Sequence, residues 1–117
     1  MIKLKLLVVR TGDMQKLVGF YALLGFTFHY HQHGNSLYHY SATIDGTVIE
    51  ISPLIKSQPE ADKNLRLGGF ELDDFDVVIS SLKEGEVQFI SEQAQTDFGF
   101  MAVVVDPDGR RVELYKK

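Results

Sequence analysis

The pattern of hydrophobic and polar residues predicts a β-α-β-β-β series in the first half of the chain. Residues 2–10 alternate and then become continuously apolar, as a largely buried strand does. Apolar residues then recur at helical spacing from Met14 until Gly25, a residue type that commonly ends helices. Turn residues at Gly34-Asn35 and Asp45-Gly46 separate three further strands, which we place at 26–33, 36–44 and 47–52.

The second half repeats this order after a polar, proline-containing segment. We predict a strand over 65–72, a helix over 75–82, and strands over 86–90, 98–105 and 111–115. The chain is therefore divided into a first module at 1–52, a linker at 53–64 and a second module at 65–117. Because such a unit cannot bury its own sheet face, we expect an α+β fold in which two βαβββ modules, with curved mixed sheets, enclose a shared cavity.

Two short stretches, IDGTVIEIS and PDGRRVELYKK, carry the same pattern in the two halves. Asp45-Gly46 aligns with Asp108-Gly109, and Glu50 aligns with Glu113. Each glutamate stands among aliphatic residues on a strand that leaves a tight turn. Matched positions of paired modules face one another, so we expect Glu50 and Glu113 to face the shared cavity.

Composition and charge exclude several functional classes. The hydrophobic fraction of 44% and the charged fraction of 24% are ordinary for a globular protein. A net charge of −4, with scattered lysines and arginines, argues against a nucleic-acid partner. There is no cysteine to form disulfides or thiolate metal sites. No apolar run has the length of a signal peptide or a membrane span, so we expect a cytoplasmic protein.

Three motifs resemble a known superfamily. GDMQKLVGFYALLGF at 12–26, the DGTVIEI strand, and DPDGRRVELY at 106–115 are similar to the vicinal-oxygen-chelate superfamily, which includes glyoxalases, bleomycin-resistance proteins and extradiol dioxygenases. The resemblance covers essentially the whole chain and implies the tandem βαβββ fold. It does not specify a function, because the superfamily contains lyases, isomerases, dioxygenases and drug binders.

In metal-using members the resemblance implies four ligands, one from the first and one from the fourth strand of each module. The fourth-strand positions hold Glu50 and Glu113, but the first-strand positions hold Leu6 and Leu67, which cannot coordinate. Two carboxylates alone would bind a divalent ion loosely. We therefore expect no metal cofactor. If a divalent metal is nevertheless bound, its ligands would be Glu50, Glu113 and His39.

All four histidines occur within FHYHQHGNSLYHY. His29, His31 and His33 alternate along one predicted strand, where neighbours on one face lie about 6.5 Å apart, too far to share one tetrahedral ion. A two-residue Gly34-Asn35 loop would turn His29 and His31 away from Glu50, whereas a longer loop or a bulge would reverse this. The Asp45-Gly46 turn pairs Ser41 with Glu50 and places His39 on the same face.

Further candidate residues come from a resemblance and from strand alternation. HGNSLYHY is similar to an H-G-x-G-x-x-H-Y pattern of some superfamily members, which implies that His33, His39 and Tyr40 contact a ligand. Phe98 and Phe100 share a face of the predicted seventh strand and would add an apolar wall, or only core.

Three functional hypotheses remain. We favour a metal-independent small-molecule binder with Glu50 and Glu113 in the cavity and His39 beside them. The alternative is a lyase, isomerase or dioxygenase-type enzyme in which Glu50 or Glu113 is the catalytic base next to His39, with or without a divalent metal. The third is a structural module with a vestigial pocket. The resemblance also implies a homodimer, in which modules are exchanged in some members.

Overall fold

The computed structural model describes the backbone of residues 1–117 and every side chain except that of Leu67. It consists of two compact units, Met1–Asp62 and Lys63–Lys117. The first contains β1 (Leu6–Thr11), α1 (Met14–Leu23), β2 (His29–His31), β3 (His39–Ile44) and β4 (Thr47–Pro53). The second contains β5 (Leu67–Leu72), α2 (Phe75–Glu84), β6 (Phe89–Thr96), β7 (Gly99–Val105) and β8 (Arg111–Lys116).

Each unit has one four-stranded mixed sheet with the same connectivity. The order is β1-β4-β3-β2 in the first sheet and β5-β8-β7-β6 in the second. β1 runs parallel to β4 and β5 parallel to β8, while the other neighbours are antiparallel. The predicted α+β fold class with two tandem βαβββ modules is confirmed. The division between residues 62 and 63 falls inside the segment that the sequence predicts as a linker.

The core of the first unit lies between α1 and one face of its sheet. Leu17 of α1, Val9 of β1 and Ile51 of β4 are almost completely buried, and α1 packs against β3 and β4. Val9 pairs with Ile51 in the parallel register, and the neighbouring pair is Val8 with Glu50. Because side chains alternate across a strand, Val8 and Glu50 lie on the sheet face that α1 does not cover.

Local sequence signals set the limits of α1. The Oδ1 atom of Asp13 accepts a hydrogen bond from the backbone N–H of Lys16 at 3.1 Å, which satisfies one of the free donors of the first turn. Beyond the last turn, Gly25 has φ of +113°, a conformation that favours glycine. Both ends agree with the prediction from the sequence.

Several predicted strand limits are wrong. β1 begins at Leu6 rather than at residue 2, and β2 is confined to three residues, His29–His31. β6 extends to Thr96. Its residues beyond Phe89 are all exposed, and all except Ile90 and Ala94 are polar. β6 is the last strand of its sheet, so neither a buried face nor an alternating pattern marks it in the sequence.

Membrane-spanning helices are not found. Neither of the two helices that the described residues form is long and apolar enough to cross a bilayer.

Candidate functional site

The pairing of β2 with β3 decides which histidines share a face with Glu50. His29 pairs with Ser41 and His31 pairs with His39. A tight turn forms at Gly34-Asn35, closed by a hydrogen bond from the backbone N–H of Ser36 to the carbonyl oxygen of His33 at 2.9 Å. The paired strands do not reach this turn, however, and their connection spans residues 32–38. The register is therefore shifted by one residue, and the longer-loop alternative is the one observed. His29 and His31 lie on the same face as Ser41, opposite the face that packs against α1.

The pairing of β3 with β4 follows the sequence prediction. Ile44 pairs with Thr47 and Ser41 with Glu50. Asp45 and Gly46 have φ values of 47° and 80°, as expected for the tight turn of an Asp-Gly hairpin. This local turn fixes Glu50 beside Ser41 in the sheet.

Three histidines gather next to Glu50. His31, His33 and His39 each offer a ring nitrogen, and these nitrogens lie within 4.8 Å of one another. The ring centroids are 4.5 Å apart for His31 and His33, 4.3 Å for His31 and His39, and 5.2 Å for His33 and His39. The histidines that come together are thus not His29, His31 and His33, which alternate along the predicted strand. His33 belongs to the connection after β2, and His39 comes from the neighbouring strand.

His39 is the buried member of this group, with 5% of its surface exposed. Its Nδ1 atom lies 3.2 Å from the carbonyl oxygen of Leu37. A carbonyl oxygen only accepts, so Nδ1 carries a proton and donates it. Among the described residues, the buried Nε2 atom has no hydrogen-bond partner. It lies 3.6 Å from Oε1 of Glu50, which is too long for a hydrogen bond.

His31 is half-buried and is held by a short hydrogen bond between its Nε2 atom and Oγ of Ser41, at 2.6 Å. Partial burial lowers the pKa of His31 below its usual value, and the neighbouring His39 and His33 lower it further. Glu50 acts in the opposite direction. The net effect favours the neutral imidazole.

A cavity of about 370 Å³ opens beside this group within the first unit. Four of its lining residues belong to the sheet: Arg10 on β1, His39 on β3, and Glu50 and Ser52 on β4. The remaining lining residues are His33, Ser36, Leu37, Pro53 and Ile55. The guanidinium of Arg10 donates a hydrogen bond to the carbonyl oxygen of Pro53 at 2.9 Å, which holds this charged side chain at the cavity wall.

Arg10 and Ser52 are site residues that the sequence prediction missed. They pair with each other in the β1–β4 register, two positions beyond Val8 and Glu50. Strand alternation places them on the same face as Glu50. This period-two relation to Glu50 was the signal that could have identified both.

Glu113 occupies the corresponding position in the second unit. It is half-buried on β8 and accepts a hydrogen bond from the hydroxyl of Tyr115 at 2.9 Å. This hydrogen bond raises the pKa of Tyr115 above its usual value, and burial adds to the effect. That Glu113 shares a cavity with Glu50 stays a prediction.

The aromatic candidates lie in three different environments. Tyr40 pairs with Ile51, on the face opposite Glu50, and its ring contacts Tyr30 at 4.6 Å between centroids. Phe98 was placed on a strand by the sequence, but this is wrong, because β7 begins one residue later and Phe98 is an exposed turn residue. Phe100 is on β7 and packs 5.8 Å from the ring of Phe75 on α2. Ligand binding by these residues stays a prediction.

The metal centre that the resemblance implies does not fit the residues present. On β1, the register partner of Glu50 is Val8, and Leu6 and Arg10 flank Val8 on the same face. Leu6 and Val8 have no donor atom, and the guanidinium of Arg10 is a cation that does not coordinate a metal ion. In the second unit, Gly69 is the register partner of Glu113. The other predicted first-strand position, Leu67, has a side chain outside the described residues.

The chain matches the model of the Glyoxalase/Bleomycin resistance protein/Dioxygenase superfamily over residues 3–114. This match covers nearly the whole chain and confirms the resemblance seen in the three motifs. The protein belongs to this superfamily. A comparison with curated proteins gave no significant match.

Several solved structures share the fold. TnmS3, an antibiotic binding protein from Streptomyces sp. CB03234, has a TM-score of 0.78 and 24% identity, over 99% of this chain and 96% of that one. A glyoxalase/bleomycin resistance protein from the same organism has a TM-score of 0.73 and 25% identity, over 97% and 99% of the two chains. The oxidase ChaP-H2 has a TM-score of 0.72 and 18% identity, over 99% and 94%.

Proposed function

We propose that this protein binds a small organic molecule in the cavity of its first unit, with Glu50 and His39 as the polar anchors. The cavity carries the proposal: its volume of about 370 Å³ lies in the range of small-molecule sites, about 300–1,000 Å³. The antibiotic binding protein with the same fold supports a binding role. Glu113 would supply a second carboxylate to the ligand.

The lining of the cavity favours a ligand with both cationic and hydrogen-bonding groups. The carboxylate of Glu50 is 23% exposed and suits an amine or hydroxyl donor. Arg10 and Ser52 offer further polar partners, while Leu37 and Ile55 provide apolar surface. A cationic or polyhydroxylated antibiotic combines these properties.

Binding of this kind would not require the metal centre of the superfamily. Leu6 and Val8 leave Glu50 without the first-strand ligand that such a centre needs. The organic ligand would instead contact the carboxylate directly. We therefore expect binding to persist when divalent ions are chelated.

The test is calorimetric titration of the untagged protein with a panel of cationic and polyhydroxylated antibiotics in the presence of EDTA. We expect at least one compound to bind with one molecule per site. Glu50→Gln should weaken it by about tenfold or more, because a charge-assisted hydrogen bond contributes about 1.5–3 kcal/mol.

Glu60→Gln is the matched control, since Glu60 is an exposed glutamate of the same unit that does not line the cavity. Its affinity should equal that of the unchanged protein. Equal binding by Glu50→Gln and Glu60→Gln would contradict the proposal, as would binding that disappears with EDTA.

The close approach of His39 and Glu50, 3.6 Å between Nε2 and Oε1, also favours the enzyme hypothesis. A carboxylate next to an imidazole is a suitable acid–base pair. Mass spectrometry of each bound compound recovered from the titration distinguishes the two. Recovery of the unchanged compound supports a binder. Conversion of the compound by the unchanged protein, but not by Glu50→Gln, supports an enzyme.

A further inference from the structure

We propose that His31, His33 and His39 form a binding site for one borderline divalent cation of the Zn²⁺, Co²⁺ or Ni²⁺ type. This site is separate from the metal centre that the superfamily uses, whose ligands come from first and fourth strands. It also does not rest on the proposed binding of an organic molecule, because the metal ion alone is the ligand.

The first observation is the convergence of three ring nitrogens within 4.8 Å of one another. In a tetrahedral site with metal–nitrogen distances of about 2.0–2.1 Å, ligand nitrogens lie about 3.4 Å apart. The most widely separated nitrogens must therefore approach by up to about 1.4 Å when an ion binds. His33 is exposed and belongs to the connection after β2, so its side chain can rotate toward the other two rings without disturbing the core.

The second observation is the buried nitrogen of His39. Nδ1–H donates to the carbonyl oxygen of Leu37, so in the neutral ring Nε2 has a free lone pair. Nε2 is buried without a hydrogen-bond partner among the described residues, and it faces the Glu50 carboxylate at 3.6 Å. Two electron-rich atoms this close repel one another unless a positive charge lies beside them. A metal ion on Nε2 removes both the unmet hydrogen-bonding capacity and the repulsion.

The backbone contact of His39 also has a positioning effect. Histidine ligands of metal sites usually donate their other ring N–H to a carbonyl or carboxylate, which fixes the tautomer and the ring orientation. The hydrogen bond to Leu37 does this here. His31 is oriented in the same way by the hydroxyl of Ser41, so an ion binds its other ring nitrogen or displaces that hydroxyl.

The type of donor selects the class of metal. Three imidazoles prefer Zn²⁺, Co²⁺, Ni²⁺ or Cu²⁺ over Mg²⁺ and Ca²⁺, which bind mainly to oxygen. Three protein ligands leave one position open, as in catalytic rather than structural zinc sites. That position adjoins the cavity, because His33 and His39 both line it.

The test is a titration of the untagged, metal-free protein with Co²⁺, followed by visible absorption, and then displacement by Zn²⁺. We expect saturation near one ion per chain, with the intense bands of a tetrahedral centre. His33→Gln is the main variant, since His33 is exposed and its replacement leaves the core intact. Loss of this ligand should weaken binding by more than the ~10–100-fold that loss of a hydrogen-bonding partner of a metal ligand typically costs. His31→Gln should act in the same direction.

His29→Gln is the matched control, because His29 is an exposed histidine of the same strand and sheet face that does not belong to the three-histidine group. Its affinity for Co²⁺ should be unchanged. The proposal is overturned if the unchanged protein shows no saturable binding, or if His29→Gln and His33→Gln weaken binding equally. These outcomes leave the proposed organic ligand unaffected, since its binding is measured in EDTA.

Discussion

At the scale of single residues, Arg110 forms the most completely buried ion pair of the second unit. Its guanidinium donates to Asp106 at 3.1 Å and to Asp108 at 2.9 Å, and the side chains of Arg110 and Asp106 have no exposed surface. Oδ1 of Asp106 also accepts from the backbone N–H of Asp108 and of Arg110. The pair thus holds the turn that leads into β8, the strand that carries Glu113.

We expect Arg110→Ala to lower the free energy of unfolding by about 3–5 kcal/mol, because it leaves the carboxylate of Asp106 buried without its cation. Arg111→Ala is the control at the next position, where the side chain is exposed and the change should stay within about 0.5 kcal/mol. Urea unfolding followed by circular dichroism measures both. Equal effects of the two substitutions would show that the buried pair adds nothing to stability.

His39 takes part in the candidate site through both ring nitrogens, and each nitrogen has a different neighbour. Nδ1 is used to orient the ring against the backbone, and Nε2 is directed toward Glu50. The proposed organic ligand and the proposed metal ion both depend on this orientation. A substitution at His39 would therefore alter both.

At the scale of elements, the two helices begin in different ways. Asp13 precedes α1 and its side chain caps the backbone N–H of Lys16, whereas Asp74 precedes α2 without a side-chain capping hydrogen bond. Both aspartates are helix N-cap residues by position. Only the first satisfies a free donor of the helix.

Asp13→Ala should therefore destabilise the protein by about 1 kcal/mol, the typical contribution of a capping hydrogen bond. Asp74→Ala should cost less, because no such bond is lost. Thermal unfolding of both variants, compared with the unchanged protein, gives the ranking. A larger loss for Asp74→Ala would contradict the capping argument.

The connection between β2 and β3 is the element that assembles the candidate site. It is held internally by Ser36, whose backbone N–H donates to the carbonyl oxygen of His33 at 2.9 Å and whose hydroxyl accepts from the backbone N–H of His33 at 3.1 Å. These bonds bring His33 back toward the sheet. The connection contains the Gly34-Asn35 turn but is longer than it, so this turn alone does not set the β2–β3 register.

At the scale of the whole molecule, we predict that the protein is a homodimer, as the superfamily resemblance implies. Large apolar side chains near the amino terminus are exposed in the single chain: Met1, Ile2, Leu4, Leu6 and Val8. Contiguous exposed apolar residues commonly mark surfaces that another molecule covers.

Sedimentation equilibrium at several protein concentrations tests this prediction. The expected mass is twice the 13.2 kDa of the chain. A mass of 13.2 kDa at all concentrations would rule out the dimer and leave the apolar residues near the amino terminus exposed in solution.

The sequence by itself determined the features that depend on local interactions. The repeated βαβββ order follows from hydrophobic period and turn residues, and the Asp45-Gly46 turn fixes the pairing of Ser41 with Glu50 because a two-residue loop allows one register. The tertiary structure alone decided the β2–β3 register and the extent of β6. A connection as long as residues 32–38 permits several registers, and a solvent-exposed edge strand needs no hydrophobic alternation. The gathering of His31, His33 and His39 beside Glu50 therefore depended on strand pairing, since side chains of different strands meet only when the sheet forms.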